Sequence, residues 1–96
     1  METFKTGNWV AWNEGVEHDE NDLGNFLMLQ EFFGDGPFMV IGILPVPKKD
    51  ARALKHSQFL QLADQSGNPI LQKDGSRSKF SGYWFTAIAA PHRLIN

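Results

Sequence analysis

The residues best suited to chemistry stand together in Glu17-His18-Asp19-Glu20, with Asp22 close behind. Carboxylates and one imidazole in so short a span suit Ca²⁺ or Mg²⁺ held by a flexible loop, whereas a tetrahedral Zn²⁺ site draws on more His or Cys. The twelve-residue calcium-loop template is not met, because Gly24 is out of place and the closing Glu is missing. The simpler reading is a solvated acidic loop, and no metal ligand set is assigned to it. The remaining histidines are His56 and His92, and hydroxyls are available at Ser57, Ser66, Ser76, Ser78 and Ser81. No Gly-x-Ser-x-Gly elbow accompanies them, so no catalytic residue is assigned. Gly34-Asp35-Gly36-Pro37 has neither the Lys-Ser/Thr of a phosphate loop nor the glycine spacing of a dinucleotide fingerprint, and it reads as a turn. Nothing in these motifs calls for a cofactor.

The aromatic residues Trp9, Trp12, Phe80, Tyr83, Trp84 and Phe85 are a second set. Neighbours in extended chain point to opposite faces, so Tyr83 and Phe85 share one face and Trp84 takes the other. Exposed rings grip proline-rich peptides, stack on bases or seal subunit interfaces. The leading expectation is a non-enzymatic protein-interaction module. In it Trp9, Trp12, Tyr83 and Trp84, with the loop 13–25, hold a protein partner or a second copy of the chain. A second expectation is a nucleic-acid-binding accessory domain that uses Lys73, Arg77 and Lys79 beside Phe80. A third is a metal- or small-molecule-binding domain centred on His18, Asp19, Glu20 and Asp22.

Composition weighs among these. The chain has 96 residues, of which 42% are hydrophobic, enough for one packed core over residues 1–96. Its net charge of −2 offers nucleic acid and acidic membrane surfaces no overall attraction. Cysteine is absent, which removes disulfides and thiolate chemistry. The first residues lack a basic segment followed by an apolar run, so no secretory leader is expected. The longest apolar stretch, Phe38 to Val46, is broken by Gly42 and Pro45 and falls short of the ~20 residues that cross a bilayer. A cytoplasmic protein without membrane association is the expectation.

Several short elements must position these residues. Trp9-Val10-Ala11-Trp12 reads as a first strand, and residues 13–25 as a long polar loop. For residues 26–33, Phe26, Leu27 and Gln30 together with the preceding Leu23 fit helical spacing, while the flanking Gly, Asn and Pro residues fit a strand. The Gly34–Pro37 turn decides for a strand, paired in a hairpin with Phe38–Leu44. Gly42 marks a bulge. Residues 48–55 form a basic connection with room for one helical turn; residues 56–64, 69–73 and 79–88 supply further strands; and residues 91–95 a short 3₁₀ turn or tail. The fold expected is mainly β, a small barrel or sandwich.

Gly7-Asn8-Trp9-Val10, then Gly36-Pro37-Phe38-Met39-Val40-Ile41, then Tyr83-Trp84-Phe85 and Leu94 together resemble the pattern of small bacterial SH3-like barrel proteins of uncharacterised function. Asn8 stands where that pattern has Asp, and Val40 where it has Thr. The resemblance implies an SH3-like barrel with a long first loop, and it carries over no catalytic residue.

Overall fold

The computed structural model describes residues 2–91, the side chains of Glu17 and His18 excepted. The aromatic and β-branched residues of the first strand extend as expected, giving β1 (Trp9–Trp12). Val10 and Trp12 point into the core, and Trp9 and Ala11 away from it. Next comes β2 (Phe38–Pro45), which pairs with β1 through Phe38 and Met39 and with β3 (Gln58–Ala63) over most of its length. The register slips between Val40 and Gly42. The expected bulge lies there, where a Cβ on Gly42 would collide with the end of the Gln61 side chain. The last strands, β4 (Phe80–Ser81) and β5 (Phe85–Ile88), are short and joined by a 3₁₀ turn over Gly82–Trp84.

The five strands form one antiparallel sheet in the order β4-β3-β2-β1-β5. The edge strands come close to each other inside the molecule, since the Phe80 and Phe85 rings sit 5.9 Å apart, edge to face. Among the described residues no ladder joins β4 to β5, so the sheet is curled but open. Its concave face holds Val10, Trp12, Phe38, Val40, Leu60, Leu62, Phe80 and Phe85, with Phe4, Val16 and Phe26 packed against them.

Residues 26–33 are helical and not a strand. They complete α1 (Glu20–Phe33), and α2 (Lys48–Leu54) occupies the basic connection. The helix wins for identifiable reasons. Residues 20–33 contain no Val, Ile or Thr, and Leu27-Met28-Leu29-Gln30-Glu31 are all good helix formers. Asp19 caps the start by accepting from the Asn21 N–H at 2.9 Å, and Gly34 ends the helix at φ 89°. The Gly34–Pro37 segment therefore joins helix to strand and is no hairpin. The expected long loop 13–25 is likewise replaced by a 3₁₀ turn over Glu14–His18 and the first turns of α1.

Two further strand assignments change. Residues 69–73 make only isolated bridges, Ala63 to Pro69 and Leu71 to Arg77, in a polar excursion between β3 and β4. Residues 79–88 break at Gly82, whose position leaves no room for a Cβ beside the His56 ring. The turn expected at 91–95 lies, from residue 92 on, outside the described residues. Among the described residues no helix is long and apolar enough to cross a membrane.

Candidate functional site

Helix α1 carries apolar residues on both sides. Its inner side is settled: Phe26 is fully buried, stacked on Trp84 at 6.3 Å and edge-on to Trp12 at 5.9 Å, and Phe33 meets Phe80 at 4.8 Å. Its outer side is not. Leu27 is 49% exposed, Met28 59% and Phe32 79%. A surface helix normally keeps its outer stripe polar, so three large apolar side chains there depart from the expected pattern. Met28, Leu29, Phe32 and Phe33 line a groove of about 210 Å³ along this face. The side chains at i and i+4, 28 with 32 and 29 with 33, form its two walls.

A polar cluster fastens the start of the same helix to the sheet. Asp22 Oδ2 accepts from Lys55 Nζ at 2.7 Å and from the Tyr83 hydroxyl at 2.5 Å, and Lys55 also reaches Asp19 at 3.5 Å. The Lys55 ammonium lies 5.1 Å from the Tyr83 ring centre. Lys55, then the Tyr83 hydroxyl, holds the Asp22 carboxyl below its ordinary pKa, and Asp22 in return raises Lys55. Partial burial, then Asp22, raises the Tyr83 phenol. Lys55 ends α2 in the left-handed region at φ 57°, which turns its side chain toward α1.

A cleft of about 190 Å³ beside this cluster is lined by Lys55, Tyr83, Gly82, His56, Asn13 and Glu2, together with Phe85. The His56 ring is buried, its Nδ1 accepting from the Gln58 N–H at 3.0 Å and its Nε2 donating to the Glu2 carbonyl at 2.6 Å. Both ring nitrogens are committed to the backbone. Asp22, Lys55 and the Tyr83 hydroxyl are bonded to one another, so the arrangement acts as a fastening between the start of α1, the end of α2 and the turn before β5.

The expected aromatic surface divides into three. Trp12 is a core residue, stacked on Phe85 at 4.7 Å, with its indole N–H donating to the Gly34 carbonyl at 2.7 Å. Tyr83 and Trp84 are half-buried supports for α1 and touch each other at 5.2 Å. They are not strand neighbours, because the 3₁₀ turn replaces the alternation. Only Trp9 faces outward from β1, in a cleft with Pro37, Gln65, Ala90 and Pro91.

Of the residues expected to meet nucleic acid, Lys73, Arg77 and Lys79 are exposed. Phe80 is buried in the core and presents no ring for stacking. Lys79 instead lies 5.3 Å from the Phe59 ring centre, and Arg77 points to the Ile41 carbonyl at 3.5 Å. In the acidic segment, Asp19 caps α1 and Asp22 pairs with Lys55, while the His18 side chain lies outside the described residues. Among the described residues no three metal-ligating side chains converge.

The sequence reading missed the outer face of α1. Its signal was present, because an apolar helix without β-branched residues must still cover Leu27, Met28 and Phe32 once Phe26 and Phe33 have turned inward. Comparison with protein-family models, curated proteins and solved structures finds no match.

Proposed function

We propose that this chain is a non-enzymatic protein-interaction module that docks a protein on the outer face of α1. The observation that carries this reading is the exposure of Phe32 and Met28 on a groove, with Leu27 also exposed, on a helix whose other side is already filled. Covering one such side chain contributes about 1.5–3 kcal/mol, so three adjacent ones are a substantial anchor. The contacts at Asp22, Lys55 and Tyr83 tie the start of the helix to the turn between β4 and β5, and a prepared surface loses less entropy on association. The interaction role is the one expected from the rings of Trp9, Trp12, Tyr83 and Trp84; its location moves to the helix that Trp12 and Trp84 support.

We also read the sheet as an SH3-like barrel left open at one seam, in a cysteine-free domain suited to the cytoplasm. The β4-β3-β2-β1-β5 order, the bulge in β2 and the 3₁₀ turn between β4 and β5 support the barrel reading.

The test is association measured for the unaltered chain, Phe32→Ser and Lys73→Ser. Phe32→Ser should abolish partner retention while the melting temperature stays put, and Lys73→Ser should change neither. Retention that survives Phe32→Ser would remove α1 as the docking face.

A further inference from the structure

Charge is divided sharply along this sequence. Between Lys5 and Lys48 there is no Lys or Arg, while Glu14, Glu17, Asp19, Glu20, Asp22, Glu31 and Asp35 all fall in that stretch. Helix α1 and its two ends are thus a region of one sign. Glu20, Glu31 and Asp35 are exposed there, Glu31 beside Phe32 and Asp35 just past the helix end. Lys55, which reaches the start of the helix, is occupied by Asp22 and Asp19.

We infer that the occupant of the α1 groove is a basic amphipathic helix, one that lays an apolar stripe on Met28, Leu29, Phe32 and Phe33 and sets Lys or Arg against Glu31 and Asp35. This rests on the reading of α1 as the docking face and names the chemistry of its partner. Three observations converge on it. The groove runs between i, i+4 ridges, the shape that accepts a second helix with anchors at i, i+3, i+4 and i+7. Its lining is wholly apolar, so the specificity must come from its rim. Glu31, next to Phe32, and Asp35, just past the helix end, are exposed carboxylates at this end of α1, and they attract a cationic partner and steer its approach.

The same charges argue against the other occupants. A polyanion or an acidic peptide meets like charge at Glu31 and Asp35. A second copy docked face to face would set one acidic α1 against another, with no Lys or Arg from either helix between them.

The experiment titrates the full chain against a fluorescent synthetic peptide of Leu and Lys, about 14 residues and four turns long, with Leu at helical spacing. Two control peptides accompany it: one of the same composition, scrambled so that no apolar stripe forms, and one with Glu in place of Lys. Anisotropy is read at about 50 and about 300 mM salt, which brackets strong and weak screening.

The patterned basic peptide should bind most tightly and weaken with salt. Phe32→Ser should weaken it by about tenfold or more, as expected for a central anchor, and Met28→Ser by less. Glu31→Lys combined with Asp35→Lys should weaken it and strengthen the Glu peptide. Melting curves confirm that each variant is folded, Met28→Ser serving in place of Phe32→Ser if the latter is not.

Equal binding of the scrambled peptide overturns the inference, because charge alone would then suffice. Binding of the Glu peptide as tight as the Lys peptide, with both lost in Phe32→Ser, overturns the basic partner and leaves α1 as the docking face. A dimer of the unaltered chain that Phe32→Ser dissolves does the same in favour of a second copy. Undiminished binding to both Phe32→Ser and Met28→Ser removes the inference and the α1 reading together.

Discussion

Trp12 shows how one side chain serves the core and the site at once. Its ring packs against Phe26, Phe38 and Phe85, while its N–H holds the Gly34 carbonyl where α1 ends. Trp12→Phe keeps an aromatic ring but leaves that carbonyl without its partner, so unfolding stability should fall by about 1–3 kcal/mol in urea denaturation. A loss near zero would mean that water replaces the indole. Gly82 is the second such residue. A Cβ there would lie 2.6 Å from His56 Cε1, and the ring cannot yield while both its nitrogens are bonded to backbone. Gly82→Ala should destabilise by about 1–3 kcal/mol through overpacking, and a neutral result would show that the ring has room to move.

At the scale of elements, α1 has two faces with opposite mutational signatures. Phe26→Ala empties a fully buried site and should cost about 3–5 kcal/mol in the same denaturation experiment. Phe32→Ser, on the other face, should stay within about 0.5 kcal/mol of the unaltered chain. A large loss at Phe32 would instead make the outer face part of the folding core. The contrast also shows what was legible in the sequence. β1 and β2, with the bulge at Gly42, were readable because β-branched and aromatic residues cluster in short runs bounded by turns. Helix α1 was misread because the Gly34–Pro37 turn outweighed local propensity. That turn is compatible with either neighbour, whereas the absence of Val, Ile and Thr from residues 20–33 was not. Gly82 converted a continuous aromatic strand into strand, turn and strand, since its contact with His56 comes from a residue 26 positions away and no local pattern reports it. The expected alternation of Tyr83, Trp84 and Phe85 failed for the same reason, because tertiary packing broke the strand there.

Across the whole molecule, the acidic first half and the basic second half meet at Lys55, which binds Asp22 and Asp19 from α1 and stacks near Tyr83 from the turn between β4 and β5. Stability should therefore depend on pH at both ends of the scale. Asp22 has its pKa depressed by folding, so its contribution is complete above the unfolded value of about 4 and is lost as pH falls through the lower folded value. Lys55 and Tyr83 have theirs raised, so their contributions are complete below the unfolded values of about 10 and are lost as pH rises through the higher folded ones. Lys55, the cation of the cluster, is exposed to solvent, which keeps each effect modest. Asp22→Asn separates the two limbs. Its melting temperature should lie below that of the unaltered chain from about pH 5 to 9, and the gap should close as acid protonates Asp22 in the unaltered chain. A gap that stayed constant down to pH values well under the carboxylate range would mean that α1 is held by its apolar contacts alone, and that the groove is presented without help from the charges behind it.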